Sequence, residues 1–386
     1  MLAPHMPRAR KRVLLALGWY DYRLHRGIEK YAQEQGWHLC PDTTKEKVVP
    51  WGWEGDGILA WLGTGDDLAD FVVHANKPTV DFSFRRPHLK FSRVLVDHKA
   101  VANLVAEHYL TRGHKHFAYY SDVNNWAFEE NGRAFVSALN AAGQECNWLC
   151  WHRSPAFNDG RLQWKHKRNW LAAELKKAPK PLAIFAATDD HAVEVLESCE
   201  NAGLNVPEQV SIVGVDNSLL AVDAMHTPIT SVDTNLELVG YRGAALLGDL
   251  MKGQRPQKEP LRIPPSGLIP RKSSDLLAIE HPGVARSLRF LLDHCHESIG
   301  VDDLVKVAAM SRRALHQAFL KQIGRPPGTE LQRVRIERAR KLLVESAEKL
   351  EVIAERCGYK SANSFWFAFK QATGLSPKEY RTRHTR

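Results

Sequence analysis

The chain has 386 residues, 44% hydrophobic and 25% charged, which predicts a globular protein of two or three domains rather than one core. Its longest apolar runs are strand-sized, which excludes a membrane-spanning helix, and the apolar stretch near the N-terminus is too short for a signal peptide. We therefore expect a cytoplasmic protein without a membrane partner.

From residue 12 to about residue 271, short apolar strands alternate with amphipathic helices. VLLALG is followed by the helical RLHRGIEKYAQEQG, and PLAIFAATDD and VSIVGVDN are later strands of the same kind. This alternation predicts parallel sheets with helices on both faces, and the length favours two lobes. Ligands of such folds bind beyond the carboxyl ends of the strands.

Six cysteines and two close histidines raise the alternative of a metal site. Only Cys146 and Cys150 are close together, and His114 and His116 flank a lysine before a predicted strand. No further histidine or cysteine pair follows at zinc-site spacing. We therefore predict no metal and no cofactor, with ordinary buried thiols and surface histidines as the interpretation.

A proline-rich segment separates this region from the rest of the chain. Between residues 255 and 282 there are six prolines, which makes a continuous helix there unlikely on steric grounds. The sequence predicts an edge strand first and then a hinge over residues 272–283.

The C-terminal segment, residues 284–386, carries the whole net charge of +9. It contains 20 Lys+Arg and 11 Asp+Glu, whereas the first 283 residues contain 33 of each sign. A basic segment beside a neutral one is typical of nucleic-acid binders. Its helical pattern predicts two helix-turn-helix units, at about 301–324 and 350–374, joined by a long helix with four arginines between 333 and 340.

This segment resembles the AraC/XylS family of transcription regulators. The stretch IAERCGYKSANSFWFAFKQATGLSPKEYR follows the second-unit signature of that family, but Gln317 and Phe367 stand where the family often has arginines. Trp366 fits two interpretations, packing within the domain or contact with a thymine methyl. The candidate DNA contacts lie on the two recognition helices and are Ser311, Arg312, Arg313, His316, Gln317, Lys321, Ser361, Asn363, Ser364, Trp366 and Lys370.

The region before the hinge resembles the sugar-sensing core of LacI-family regulators, which is similar to periplasmic sugar-binding proteins. The resemblance rests on PLAIFAATDDHAVEVLESCENAGLNVPEQVSIVGVDNS and the later TPITSVD. It implies that Asp216 accepts sugar hydroxyl groups, and Asn131 replaces an arginine common in the family. Helix caps or surface charges remain the alternative for each acid. The candidate ligand contacts are Tyr20, Asp21, Tyr22, Arg23, Asp97, Asn131, Thr188, Asp189, Asp216 and Asn217.

A LacI-like sensor ahead of an AraC-type module resembles the order found in xylose operon regulators. That resemblance implies a D-xylose-dependent activator that binds double-stranded DNA as a homodimer and acts on RNA polymerase. Another monosaccharide as ligand, and an architectural DNA binder without a ligand, remain open. An enzyme is disfavoured because the chain has no Gly-x-Ser-x-Gly elbow, phosphate-binding glycine loop or His-Glu-x2-His helix.

Overall fold

The computed structural model describes residues 10–41, 49–63, 65–123, 125–155, 157, 162–218, 222–223, 225–257, 259–275, 279, 281–346 and 348–384. Two six-stranded sheets form an N-terminal and a C-terminal lobe, and a helical domain follows them. The predicted fold class, a two-lobed α/β region plus an all-α domain, is confirmed. No helix within these ranges is both long enough and apolar enough to cross a bilayer.

Each lobe is built on one sheet with buried strands. The twelve strands are β1 (Arg12–Leu17), β2 (His38–Cys40), β3 (Gly57–Trp61), β4 (Thr79–Asp81), β5 (Ser92–Val96), β6 (His116–Ser121), β7 (Cys146–Cys150), β8 (Leu182–Ala186), β9 (Val210–Val215), β10 (Thr230–Asp233), β11 (Leu261–Ile263) and β12 (Gly267–Ile269). The N-terminal sheet has the order β11-β5-β4-β3-β1-β2 and the C-terminal sheet the order β12-β10-β9-β8-β6-β7. All neighbours are parallel except β12, which runs antiparallel to β10.

Helices cover the faces of both sheets, as parallel strands require. They span Tyr22–Gln35, Asp67–His74, His98–Thr111, Trp126–Ala141, Gln163–Lys177, Asp189–Ala202 and Leu236–Leu250. The first and last of these cross closely in the N-terminal lobe at two glycines. A Cβ on Gly27 would lie 1.9 Å from the Glu237 carbonyl oxygen, and one on Gly240 would lie 2.1 Å from that of Leu24, so no larger residue fits this crossing.

The chain passes between the lobes three times, and these passages join the lobes at one edge. It leaves β5 for the helix that begins at His98 in the C-terminal lobe, returns after β10 to the helix that begins at Leu236, and passes again between β11 and β12. Short connections of this kind allow two lobes to rotate about a common hinge while each sheet stays intact.

The exit from the C-terminal lobe is buried in its first residues. Lys272–Ser274 form a 3-10 helix in which Ser273 donates to the Ile212 carbonyl oxygen at 2.6 Å, and both serines are fully buried. The chain therefore leaves this lobe after residue 274, whereas the sequence placed the start of the hinge at residue 272. Residues 276–278 and 280 of that predicted hinge lie outside the described residues.

The C-terminal domain consists of seven helices among the described residues. They span Pro282–His294, Val301–Ala308, Arg312–Ile323, Pro327–Glu345, Leu350–Arg356, Ala362–Thr373 and Pro377–His384. Each helix-turn-helix unit has its own apolar core, centred on Phe319 in the first and on Phe369 in the second. The long central helix contributes to both cores, through Leu331 to the first and Leu343 to the second.

Candidate functional site

A cavity of about 230 Å³ lies between the two lobes, at the carboxyl ends of the strands. Residues at or just beyond the ends of β1, β3, β4, β5, β8 and β9 line it, together with the start of the helix that follows β6, so both sheets contribute. This is where the topology brings loops from separate strands together. Of the ten predicted ligand contacts, three line this cavity: Asn131, Thr188 and Asp216.

Aromatic rings form most of the apolar wall, and sequence reasoning missed them. The Trp19 and Trp61 rings lie 4.6 Å apart between centroids in the N-terminal lobe, and Trp126 and Phe128 face them from the C-terminal lobe. Flat apolar rings of this kind stack on the C–H faces of sugars. The available signal was their position, since Trp19 follows β1 and Trp61 ends β3.

Asp216 supplies the carboxylate of the cavity. It follows β9 with a positive φ of 97°, and its Oδ1 accepts a hydrogen bond from the Thr234 hydroxyl at 3.1 Å. Burial raises the pKa of Asp216 to about 6, while the Arg23 guanidinium acts in the opposite direction. The group is therefore mostly ionised at pH 7, and it can accept hydrogen bonds from a bound hydroxyl.

His98 and Asn131 form an uncharged polar pair in the lining of the same cavity. The His98 Nδ1 lies 3.2 Å from Asn131 Oδ1, and both side chains are buried. Burial lowers the pKa of His98 to about 4, so the ring is neutral at pH 7. Because an amide oxygen only accepts, Nδ1 carries the proton and Nε2 is the acceptor nitrogen. His98 was not among the predicted contacts, although it directly follows Asp97.

Two aspartates and one threonine among the predicted ligand contacts form hydrogen bonds within the protein. Asp97 caps the following helix by accepting from the Ala100 N–H at 3.0 Å. Thr188 caps the next one by accepting from the His191 N–H at 3.3 Å. Asp189 is buried and accepts from the Ser231 hydroxyl at 2.6 Å, and burial raises its pKa to about 8. Asp97 and Asp189 do not line the cavity.

Residues 20–23, which were predicted ligand contacts, do not line the cavity, although Trp19 just before them does. Tyr20 and Tyr22 are exposed, by 48% and 58% respectively. Asp21 caps the helix that follows and pairs with Arg23 at 2.8 Å. Arg23 instead extends to the other lobe, where it donates to the backbone carbonyl oxygen of Asp216.

Asn217 lies next to Asp216 and points away from the cavity. Its Oδ1 accepts from Arg271 Nη2 at 2.8 Å, and its Nδ2 lies 3.4 Å from Asp233 Oδ2. Arg271 is the residue directly before the buried 3-10 helix that leads to the C-terminal domain. The loop after β9 therefore contacts the cavity on one side and the chain exit on the other.

The first recognition helix, Arg312–Ile323, buries Leu315, Phe319 and Ile323. Ser311 caps it by accepting from the Ala314 N–H at 3.2 Å. The remaining candidate contacts are exposed, and they share the open side of the helix: Arg312, Arg313, His316, Gln317 and Lys321. This side has the composition needed for contacts with phosphates and base edges.

The second recognition helix, Ala362–Thr373, buries Phe365 and Phe369. Ser361 caps it, and Asn363, Ser364 and Lys370 are exposed. Trp366 is only partly exposed, and the Lys370 ammonium lies 4.8 Å from its ring centroid. Phe367, which was not among the predicted contacts, is the exposed aromatic residue of this helix.

Comparison with known families divides the chain in the same way. Residues 106–274 match the model of a periplasmic binding protein-like domain, and residues 304–383 match that of a helix-turn-helix domain. The xylose operon regulatory protein of Escherichia coli strain K12 is 26% identical over 94% of both chains. That of Haemophilus influenzae is 28% identical over 94% of this chain and 95% of the relative.

Solved structures agree with this division in fold. The structure of the xylose-binding transcription activator XylR has a TM-score of 0.72 at 24% identity and covers 99% of this chain and 100% of its own. The regulator CelR in complex with cellobiose has a TM-score of 0.54 at 24% identity over 70% of this chain and 86% of its own, on the sensor side. The chain therefore joins a periplasmic binding protein-like domain to a helix-turn-helix domain, which is the domain composition of a sugar-responsive transcription regulator.

Proposed function

We propose that this regulator is a D-xylose-dependent activator of a sugar-utilisation operon. The observation that carries the proposal is the end-to-end similarity to two xylose operon regulatory proteins, over sensor and DNA-binding domain alike. The cavity supports it independently, because it combines several aromatic rings with a small set of polar groups, as sugar sites do.

The proposed sugar lies between the rings of Trp19, Trp61 and Trp126. Asp216 accepts from one or two sugar hydroxyls, and the pair of His98 and Asn131 offers an acceptor nitrogen and an amide donor to others. Among the described residues, the lining presents one carboxylate and no cationic side chain, which suits a neutral sugar better than a phosphorylated or acidic one.

We propose that sugar binding favours the closed arrangement of the two lobes. Contacts with both lobes add differential binding energy to the closed state, which is the requirement for any ligand-driven shift. Arg23 already bridges the lobes beside Asp216, and Arg271 joins the same loop to the chain exit. The closed arrangement then fixes the orientation of the two C-terminal domains in a homodimer. In that orientation the domains bind repeated half-sites on the DNA, and RNA polymerase is recruited there.

A calorimetric panel tests the ligand. D-xylose, L-arabinose, D-ribose, D-glucose and D-xylose 5-phosphate are titrated into the full chain, and we expect the tightest binding for D-xylose. A different neutral monosaccharide as the tightest ligand would contradict the choice of sugar. Heat without saturation for every sugar, together with an unchanged melting temperature, would favour a ligand-independent DNA binder.

A DNA-binding measurement tests the regulator. A duplex selected by the full chain from a random pool is titrated with and without saturating D-xylose, and we expect a change in affinity or footprint. Analytical ultracentrifugation of the complex tests the homodimer.

Long incubation with D-xylose tests the alternative of an enzyme. We expect to recover the sugar chemically unchanged, and a converted product would indicate an enzyme instead.

A further inference from the structure

Phe367 presents an aromatic ring to solvent on the second recognition helix. It is 69% exposed, and within the described residues no other large apolar side chain is more exposed. The two other phenylalanines of that helix, Phe365 and Phe369, are buried in the core of the unit. The nearest aromatic neighbour of this ring, Trp366, lies edge-on with 5.2 Å between the ring centroids. A ring this exposed gains little from burial on folding, and its place on a recognition helix of a basic domain is what points to a partner.

Its position is the equivalent of Gln317 in the first unit. The two units match at an offset of 50 residues, since the caps Ser311 and Ser361 and the terminal glycines Gly324 and Gly374 correspond. Gln317 and Phe367 therefore occupy the same place on their helices. That place faces outward in both units, with polar side chains around it.

The open face of the second helix is centred on this ring. Asn363 and Gln371 lie one turn before and one turn after Phe367, and Ser364 and Lys370 lie beside it, all of them exposed. Trp366 lies to the side of this face, partly buried and covered by the Lys370 ammonium. Of the two neighbouring aromatic rings, Phe367 is the one free to enter a groove.

We propose that Phe367 contacts the C5 methyl group of a thymine in the major groove. The inference rests on the proposed DNA-binding function and extends it to the base recognised. In the major groove, thymine presents the only methyl group, and apolar side chains recognise it by contact. The surrounding amide, hydroxyl and ammonium groups suit the polar edges and phosphates of the same duplex better than an apolar protein surface.

The test removes the methyl group from the DNA and the ring from the protein. The probe is the duplex that the full chain selects from a random pool, and each thymine of the half-site bound by the second unit is replaced in turn by uracil. For the wild-type chain, we expect one position where uracil weakens binding by about fourfold, the effect of one lost methyl contact. In the Phe367→Ala chain, thymine and uracil at that position should bind equally.

Matched variants separate this role from others. Gln317→Ala changes the equivalent residue of the first unit, and it should weaken binding while leaving the uracil effect in the second half-site intact. Because Phe367 is exposed, Phe367→Ala should melt within about 2 °C of the wild type, and Phe367→Leu should retain part of the discrimination.

Two results would overturn the inference. One is a wild-type chain that binds DNA without any thymine-to-uracil effect in the second half-site. The other is a Phe367→Ala chain that keeps the wild-type uracil effect, and loss of self-association in that same chain would assign the ring to a protein interface. A wild-type chain that selects no duplex at all would instead refute the proposed DNA-binding function itself.

Discussion

Arg23 of the N-terminal lobe donates a hydrogen bond to the backbone carbonyl oxygen of Asp216 in the C-terminal lobe. Asp21 holds the guanidinium in place through a 2.8 Å ion pair, so the contact is oriented from the N-terminal side. The side chains of Arg23 and Asp21 are largely buried, so screening of this ion pair by salt is weak. This contact links the relative position of the lobes to the residue proposed to bind the sugar.

Replacing Arg23 should therefore weaken sugar binding without removing a sugar contact. We expect Arg23→Ala to raise the Kd for D-xylose about tenfold, because the closed arrangement loses a charge-assisted hydrogen bond. Isothermal titration calorimetry measures the change. Arg26→Ala, an exposed arginine on the same helix, is the matched control and should bind as the wild type does. Equal affinities for the two variants would contradict a role for Arg23 in closure.

The ionisation of Asp216 should set the pH dependence of sugar binding. Burial raises the pKa of its carboxyl group to about 6, so the accepting carboxylate falls from about nine-tenths at pH 7 to about one-tenth at pH 5. We expect the Kd for D-xylose to rise roughly tenfold over that range. His98 is neutral throughout, and Asp189, with a pKa of about 8, stays mainly protonated.

The contribution of Asp216 to the stability of the ligand-free protein should decrease as the pH rises, whereas its contribution to sugar affinity should increase. Since the folded pKa of Asp216 lies above its unfolded value, the folded state binds more protons between about pH 4 and pH 6. The contribution of this group to the free energy of unfolding therefore decreases as the pH rises through that window. Asp216→Asn should remove the contribution of this group from both profiles, measured by calorimetry and by urea unfolding, whereas the contribution of Asp189, whose raised pKa gives a slope of the same sign, should remain in the unfolding profile. A wild-type slope in that variant would assign the dependence to another group.

The strands, helices and both helix-turn-helix units follow from local patterns, whereas the cavity lining does not. Apolar periodicity and caps such as Ser311 and Ser361 act within a few residues, so the sequence alone reveals them. Arg23 was expected to face the ligand, yet its partner lies 193 residues away in the other lobe. No local pattern contains such a contact.

Local sequence patterns also do not show that aromatic residues, rather than most of the predicted charged ones, line the cavity. The sequence pointed to polar side chains near strand ends, and Asp97 and Asp189 are indeed there, but they serve as a helix cap and a buried hydrogen-bond acceptor. Whether a ring such as Trp61 faces a cavity or a core depends on how the two sheets meet, which is a property of the tertiary packing.

His98 should contribute to sugar selectivity through its ring nitrogen. His98→Phe keeps an aromatic ring against Trp126, whose centroid lies 5.2 Å away, but removes the hydrogen bond to Asn131 and the acceptor nitrogen. We expect the Kd for D-xylose to rise about tenfold, since a bound hydroxyl loses its partner. His74→Phe, on an exposed helix end of the N-terminal lobe, controls for the substitution itself. An unchanged ranking and affinity of sugars in His98→Phe would remove this residue from the site.

Arg271 should transmit the state of the cavity to the DNA-binding domain. Its guanidinium donates to Asn217 Oδ1 and to Asp223 Oδ1, each at 2.8 Å, and to the Ile229 carbonyl oxygen at 3.1 Å. One residue later the chain enters the buried 3-10 helix that precedes the DNA-binding domain. The Arg271 side chain therefore gives a movement of the loop after β9 a direct path to the chain exit.

Arg271→Ala is expected to separate the two binding events. D-xylose should still bind, but its effect on DNA affinity should fall toward a ratio of one, and by linkage DNA should lose the same effect on the affinity for D-xylose. Fluorescence anisotropy of a labelled duplex, with and without the sugar, measures the ratio. Asn217→Ala should reduce the ratio similarly. The double variant should reduce it no further, because both substitutions remove the same hydrogen bond between Arg271 and Asn217. Arg242→Ala, an exposed arginine in the N-terminal lobe, is the control. A wild-type ratio in Arg271→Ala would mean that the signal passes by another route.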